Sequence, residues 1–170
     1  MIGSTPIEIE RKFLIYMPDT DSLKRLCGIR IKSIWQTYLL TDDGSNARVR
    51  RIVENGKESF VKTVKRRIST LSCYEEEGEI SADEYLQEMK RADHSKSTIE
   101  KTRYAFPHGN HTVEIDVYPF WSDRAILEVE LASEEESFSL PDFIKVIREV
   151  SKDKRYKNTN LAICVPMDTI

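Results

Sequence analysis

Apolar residues alternate with charged ones at period two along much of this chain. Ile7, Ile9 and Phe13 interleave with Glu8, Glu10 and Lys12, and the same parity returns around Val49, Val113, Ile115, Val117, Val129 and Leu131. Alternate residues of a strand share one face, so each such run predicts a strand with one apolar and one charged face. Eight strands follow, near residues 6–15, 31–40, 47–53, 58–65, 72–80, 97–106, 111–119 and 125–132. Asn55-Gly56 is a strong hairpin signal, and His108-Gly109-Asn110-His111 reads as the exposed tip of another. Three helices are expected. One is short and capped within Pro18–Ser22, one opens on the capping box Ser81/Glu84, and one follows Pro141 with the stripe Phe143, Ile144, Ile147 and Val150.

The charged positions recur in pairs: Glu8/Glu10 with Lys12, Arg48/Arg50, Glu75/Glu77, Lys101/Arg103, Glu114/Asp116 and Glu128/Glu130. A lone pair of this kind is ordinarily a solvated strand face, but six at one parity predict a sheet closed on itself. Charges would then line a wet lumen, and helices would cover the apolar outside. The expected fold class is α+β, an eight-stranded antiparallel β-barrel or tunnel with flanking α-helices, in a single domain over 1–170. No repeat or linker argues for a second domain.

Composition narrows the chemistry. The chain has 170 residues, 26 basic and 29 acidic, for a net charge of −3, so the basic excess of a general nucleic-acid binder is missing. Cys27, Cys73 and Cys164 are odd in number and widely spaced, which fits reduced thiols, and His94, His108 and His111 have no metal-ligand spacing. No apolar run has the length of a signal peptide or a membrane span. The expectation is a cytoplasmic protein with no membrane or nucleic-acid partner; a homodimer is compatible with the chain. Glu134-Glu135-Glu136 reads as a solvated charge run.

Guanidinium forks at Arg48, Arg50 and Arg103 suit phosphate oxygens, and Lys12, Lys65 and Lys101 add movable point charges. Glu8, Glu10, Glu114, Asp116, Glu128 and Glu130 are hard oxygen ligands suited to Mg²⁺ or Mn²⁺. A divalent cation reconciles the two sets, because it bridges carboxylate to phosphate and can position a water. No glycine-rich phosphate loop is present, so side chains must hold the phosphates.

The ordered series resembles the CYTH superfamily, the triphosphate tunnel metalloenzymes. Glu8-Ile9-Glu10-Arg11-Lys12 is similar to that family's E-x-E-x-K strand. The likeness continues through Arg48-Val49-Arg50, Thr63-Val64-Lys65, Glu75/Glu77, Lys101-Thr102-Arg103, Glu114-Ile115-Asp116, Glu128-Val129-Glu130 and Arg155–Ala162. The resemblance implies that Lys12, Arg48, Arg50, Lys65, Lys101 and Arg103 bind phosphate. It makes Glu8, Glu10, Asp116, Glu128 and Glu130 metal ligands with Glu114 close by, and lets Glu75 and Glu77 orient bases or hold a second metal's water. Glu8, Glu10, Lys12, Glu128 and Glu130 are then the catalytic candidates. The activity expected is metal-dependent hydrolysis of a small-molecule triphosphate, with inorganic tripolyphosphate as the first candidate. The alternatives are a class IV adenylate cyclase, a thiamine or nucleoside triphosphatase, and a non-catalytic polyphosphate or nucleotide binder. Two departures stand out: Cys73 occupies a place where many relatives carry Arg, and Lys62 competes with Lys65 for the inward position.

Overall fold

The computed structural model describes residues 7–170. Nine strands form: β1 Ile7–Tyr16, β2 Arg30–Leu39, β3 Asn46–Glu54, β4 Lys57–Arg67, β5 Ser72–Ile80, β6 Ile99–His108, β7 His111–Val117, β8 Arg124–Glu130 and β9 Val146–Glu149. The sheet runs β5-β4-β3-β2-β6-β7-β8-β1-β9, and a further β5–β1 pairing closes the first eight into an antiparallel barrel. The eight expected strands are all present within two residues at each end; Pro6, the expected start of the first, lies outside the described residues.

Turn chemistry sets the register. Asn55 and Gly56 both adopt positive φ, 51° and 73°, which matches the twist of β3 and β4 and pairs Glu54 with Lys57. Gly109, φ 59°, does the same for the β6–β7 hairpin, where His108 faces His111. One parity is conserved around the barrel: Lys12 opposes Glu128, Glu128 opposes Glu114, Asp116 opposes Arg103, Arg50 opposes Gln36, Lys65 opposes Glu75 and Cys73 opposes Glu8. A slip of one residue in any strand would turn its charges outward.

The apolar outer face is buried as expected, with Val49, Val113, Ile115 and Val129 fully enclosed. Its cover is only partly helical. Helix α2, Ala82–Met89, opens on the predicted capping box and lays Tyr85 and Met89 over Leu39, Ala47 and Val49. Helix α1, Thr20–Leu23, is a single turn capped by Asp19, and it contributes Leu23 to the larger cluster on β6–β8. Irregular chain carrying Phe138, Leu140 and Ile144 covers the rest of that cluster.

The helix expected after Pro141 does not form. Residues Val146–Glu149 pair with β1, with Leu14 opposite Arg148 and Phe13 opposite Glu149. β5 takes only Ile7–Ile9 of that edge of β1, so the later half of the edge offers unmet backbone groups that draw in a β-branched segment. The stripe Ile147/Val150 is real, but it packs into an internal apolar cluster from a strand. A short 3₁₀ turn, Lys154–Tyr156, and helix α3, Asn158–Leu161, follow it. Neither was anticipated from the pattern.

The inward face is not charged throughout. Leu14, Tyr38, Ile99, Tyr118 and Ile126 share the parity of the charged residues, yet they pack with Val150, Tyr156, Leu161 and Ala162. The segment from β9 to α3 thus plugs one region of the barrel. Ile34, Ile52 and Val61 form a second apolar cluster at the same parity on β2–β4. No helix among the described residues is long and apolar enough to cross a membrane.

Candidate active site

A cavity of about 440 Å³ opens beside the plug, with Tyr38 and Val150 in its wall. Its wall includes Glu8, Glu10, Lys12, Arg48, Lys65, Arg103, Glu114, Glu128 and Glu130 from six different strands. Parity turns them all inward, each strand contributing every second residue, and closure of the sheet through the β5–β1 pairing brings them together.

Most of the cations are tied to carboxylates. Lys12 Nζ lies 2.8 Å from Glu128 Oε1 and 3.6 Å from Glu10 Oε1. Its backbone is pinned by the plug, since Lys12 N donates to Ser151 Oγ at 2.8 Å and Val150 N donates to Lys12 O at 2.8 Å. Arg103 donates twice to Asp116, both at 2.7 Å, reaches Glu128 at 3.1 Å and also pairs with Glu114. Lys65 pairs with Glu8 and, at 2.7 Å, with Glu75. Lys62 donates instead to Glu88 on α2 at 2.5 Å, so Lys65 is the inward lysine.

Arg48 differs: among the described residues it has no ion pair, and its buried Nε has no hydrogen-bond partner. It is a guanidinium presented to the cavity with no directly bonded carboxylate, although Glu75 and Glu8 lie close enough to favour its charge. Its cross-strand neighbour Tyr38 also lines the cavity and escaped the charge pattern because it carries no charge at neutral pH. Burial pushes the Tyr38 hydroxyl up, against the pull of Arg48.

Three of the expected phosphate- and metal-binding residues, Lys101, Asp116 and Arg50, stand back from the wall, as do the supporting Glu75 and Glu77. Lys101 and Asp116 are 2% and 0% exposed and meet at 2.5 Å behind Arg103. Arg50 is 7% exposed and donates to Glu77 at 2.5 Å, and the Thr63 hydroxyl donates to the same carboxylate at 2.9 Å. Burial and Arg103 bring the Lys101 ammonium down to about 8 despite Asp116, and burial with Arg48 brings Arg50 down to about 10. Asp116 is held below its ordinary range, the effect of burial being outweighed by Arg103 and Lys101. These groups form a buried electrostatic support for the wall. Glu75 and the more exposed Glu77 each hold one base, Lys65 and Arg50.

The carboxylates divide by environment. Glu128 is held well below its ordinary value, because Lys12 and Arg103 overcome the effect of burial. Glu10 goes the other way, pushed up to about 7 by burial and by Glu128, with Glu8 adding to the repulsion. Glu114 and Glu130 are also raised, first by burial and then by neighbouring carboxylates. Glu130 opposes Glu10 across the β1–β8 ladder and makes no side-chain hydrogen bond or ion pair with the described residues. Among the described residues no three carboxylate, His or Cys side chains are already gathered at metal-binding spacing. The donor set nevertheless suits a divalent cation, since crowded and partly protonated carboxylates gain from a positive charge between them.

Residues without a charge pattern complete the wall. Asn46, Thr112, Lys157, Asn158, Thr159 and the β4–β5 loop Ser69–Ser72 all line the cavity. The loop is fastened by Glu134, which accepts from Ser69 Oγ and, at 2.5 Å, from Ser72 Oγ. Glu136 accepts from Ala132 N and lies 2.9 Å from His111 Nε2. The acidic run is therefore not merely solvated. Cys73 faces the lumen as its parity requires and donates to Glu8 Oε2 at 3.4 Å. Burial pushes its thiol up to about 12, which leaves it uncharged.

The family model described as CYTH domain matches residues 6–162, nearly the whole chain. The chain belongs to the CYTH family. An inorganic triphosphatase from Nitrosomonas europaea is 34% identical over 166 residues, spanning 94% of this chain and 99% of its own length. Among solved structures, this CYTH chain is similar to an inorganic triphosphatase at a TM-score of 0.56 and 29% identity, covering 94% of this chain and 96% of the other. A Pyrococcus horikoshii protein aligns at a TM-score of 0.57 and 20% identity over 75% of this chain and 80% of its own, a likeness of fold.

Proposed function

We propose that the chain is a divalent-metal-dependent triphosphatase whose substrate is inorganic tripolyphosphate. The observation that carries this reading is the single cavity in which Lys12, Arg48, Lys65 and Arg103 face Glu8, Glu10, Glu114 and Glu130. The inorganic triphosphatase relatives support the substrate. In the reaction a water oxygen attacks the terminal phosphorus, the bond to the bridging oxygen breaks, and orthophosphate and pyrophosphate leave with the water's protons.

In this reading Arg48 and Arg103 clamp phosphoryl oxygens with planar forks while Lys12 and Lys65 neutralise the charge that gathers on the leaving pyrophosphate. Arg50, Lys101, Asp116 and Glu77 position those groups from behind. Glu8, Glu10 and Glu130, with Glu114 and Glu128 adjacent, would hold Mg²⁺ or Mn²⁺. Bound there, such a cation supplies charge neutralisation and a positioned, more acidic water. Glu8, Glu10, Glu114 and Glu128 each hold a lysine or arginine, so each of them that turns to a cation releases that base to the phosphates. Metal and triphosphate are accordingly expected to bind synergistically.

The deciding assay follows phosphate release from tripolyphosphate, thiamine triphosphate and ATP with Mg²⁺ or Mn²⁺, with cyclic AMP measured in parallel. Tripolyphosphate is expected to be the preferred substrate and no cyclic AMP to form. Arg48→Ala is expected to lower kcat/KM for tripolyphosphate by roughly tenfold to a hundredfold, the worth of a charged phosphate contact. Cyclic AMP from ATP without orthophosphate from tripolyphosphate would overturn the reading, and unchanged kinetics in the variant would remove Arg48 from the site.

A further inference from the structure

The inward face of β4 presents three residues in succession, Thr63, Lys65 and Arg67. Exposure rises along them: Thr63 is buried, Lys65 is half-buried and Arg67 is exposed, although Arg67 still lines the cavity. Two residues advance a strand by about 7 Å, so Arg67 extends the row of cations from Lys65 to the rim.

Its surroundings leave it free for an anion. The directly opposite residue on β5 is Cys73, whose short, uncharged side chain turns to Glu8. At the neighbouring level the opposite residue is Glu75, and there Lys65 is neutralised. Arg67 forms no ion pair among the described residues, and residues 1–6 contain no carboxylate. Arg66, one residue away, points outward and pairs with Asp43 at 2.7 Å. With Arg48, Arg67 is thus one of two guanidinium groups lining the cavity that form no direct ion pair among the described residues. Arg48 lies among the inner cations, and Arg67 lies at the edge.

We propose that Arg67 is a further anion-binding residue of this cavity, gripping the rim-side end of a linear phosphate chain and so favouring three phosphates over two. The proposal rests on the triphosphatase reading and adds a determinant of chain length to it. On this proposal a diphosphate held by Arg48, Arg103 and Lys12 does not engage Arg67, whereas the additional phosphoryl of a triphosphate held by the same groups does. Being exposed, the contact works in high dielectric and is weaker than those deeper in the cavity.

The test compares Arg67→Ala with Arg66→Ala, which removes the same charge from the outer face. Arg67→Ala is expected to raise KM for tripolyphosphate about five- to tenfold, near the lower end for a charged contact, with kcat little changed. The inhibition constant of pyrophosphate is expected to stay within about twofold, as are both quantities in Arg66→Ala. Titration calorimetry with tripolyphosphate and pyrophosphate requires no turnover, so the ratio of the two affinities tests Arg67 even in a chain that does not hydrolyse. Failure to hydrolyse counts against the triphosphatase reading alone. A loss in Arg67→Ala no greater than in Arg66→Ala, or an equal loss for both anions, would overturn the proposal.

Discussion

Replacing Asp116 by asparagine is expected to cost the fold about 3–5 kcal/mol, the usual penalty for removing one partner of a buried ion pair. Asp116 is wholly buried and accepts from both Arg103 and Lys101. Arg103 keeps Glu114 and Glu128, but Lys101 loses its nearest counter-charge. Against a typical total stability of about 5–15 kcal/mol this is a large fraction. The deficit should depend on pH. Lys101 already sits near 8 in the fold, below its ordinary 10.5, so the unfolded chain binds more protons in that window and stability rises with pH through it. Without Asp116 the folded value falls further and the window widens downward. The gap between variant and wild type is therefore widest where Lys101 is charged in both folded states, shrinks as pH rises through the two folded values, and is smallest near pH 10, where Lys101 is neutral in both. Urea denaturation at pH 7 and pH 10 measures it. Equal midpoints for the two proteins at pH 7 would show that Asp116 is not the buried support described above.

Removing divalent cations is expected to abolish turnover, by a factor on the order of a thousand, the kinetic equivalent of the several kcal/mol that a metal contributes in such sites. Glu10→Gln or Glu130→Gln should leave the folded state intact and demand far more Mg²⁺ or Mn²⁺ for the same rate. Proton release should accompany metal binding. With the Glu10 carboxyl near 7 in the free protein, a proton must leave for it to bind a cation, so metal affinity rises as pH increases through about 7. Calorimetric titration of Mn²⁺ in buffers of different ionisation enthalpy reads that proton directly. Full activity in chelator, or in both variants without added metal, would remove these carboxylates from a metal site.

Much of the barrel was legible because period two is a strict code. Glu8, Glu10, Lys12, Arg48, Arg50, Lys65, Lys101, Arg103, Glu114, Asp116, Glu128 and Glu130 share one face through parity alone, and the structure turns all of them to the same side. Parity gives a side chain's face and not its depth. It could not separate Arg48, on the cavity wall, from Arg50, which lies two residues further along β3 and is held by Glu77. Uncharged wall residues such as Tyr38, Asn46 and Thr159 carried no signal, and neither did the fastening of the β4–β5 loop by Glu134. The segment after Pro141 failed for a different reason. Its apolar spacing fits a helix or a strand, and the open edge of β1 decided between them.

The sequence by itself therefore determined the number of barrel strands, their hairpins, the inward set of charges and the family, since these rest on local periodicity, turn residues and the order of short motifs. Only the tertiary structure decided which charges meet. Lys65 pairs with Glu8 57 positions away, and Lys12 is pinned by Ser151 at a separation of 139. Contacts of that span depend on the stagger with which the sheet closes and on where the plug lies. Neither is encoded in any window of neighbouring residues.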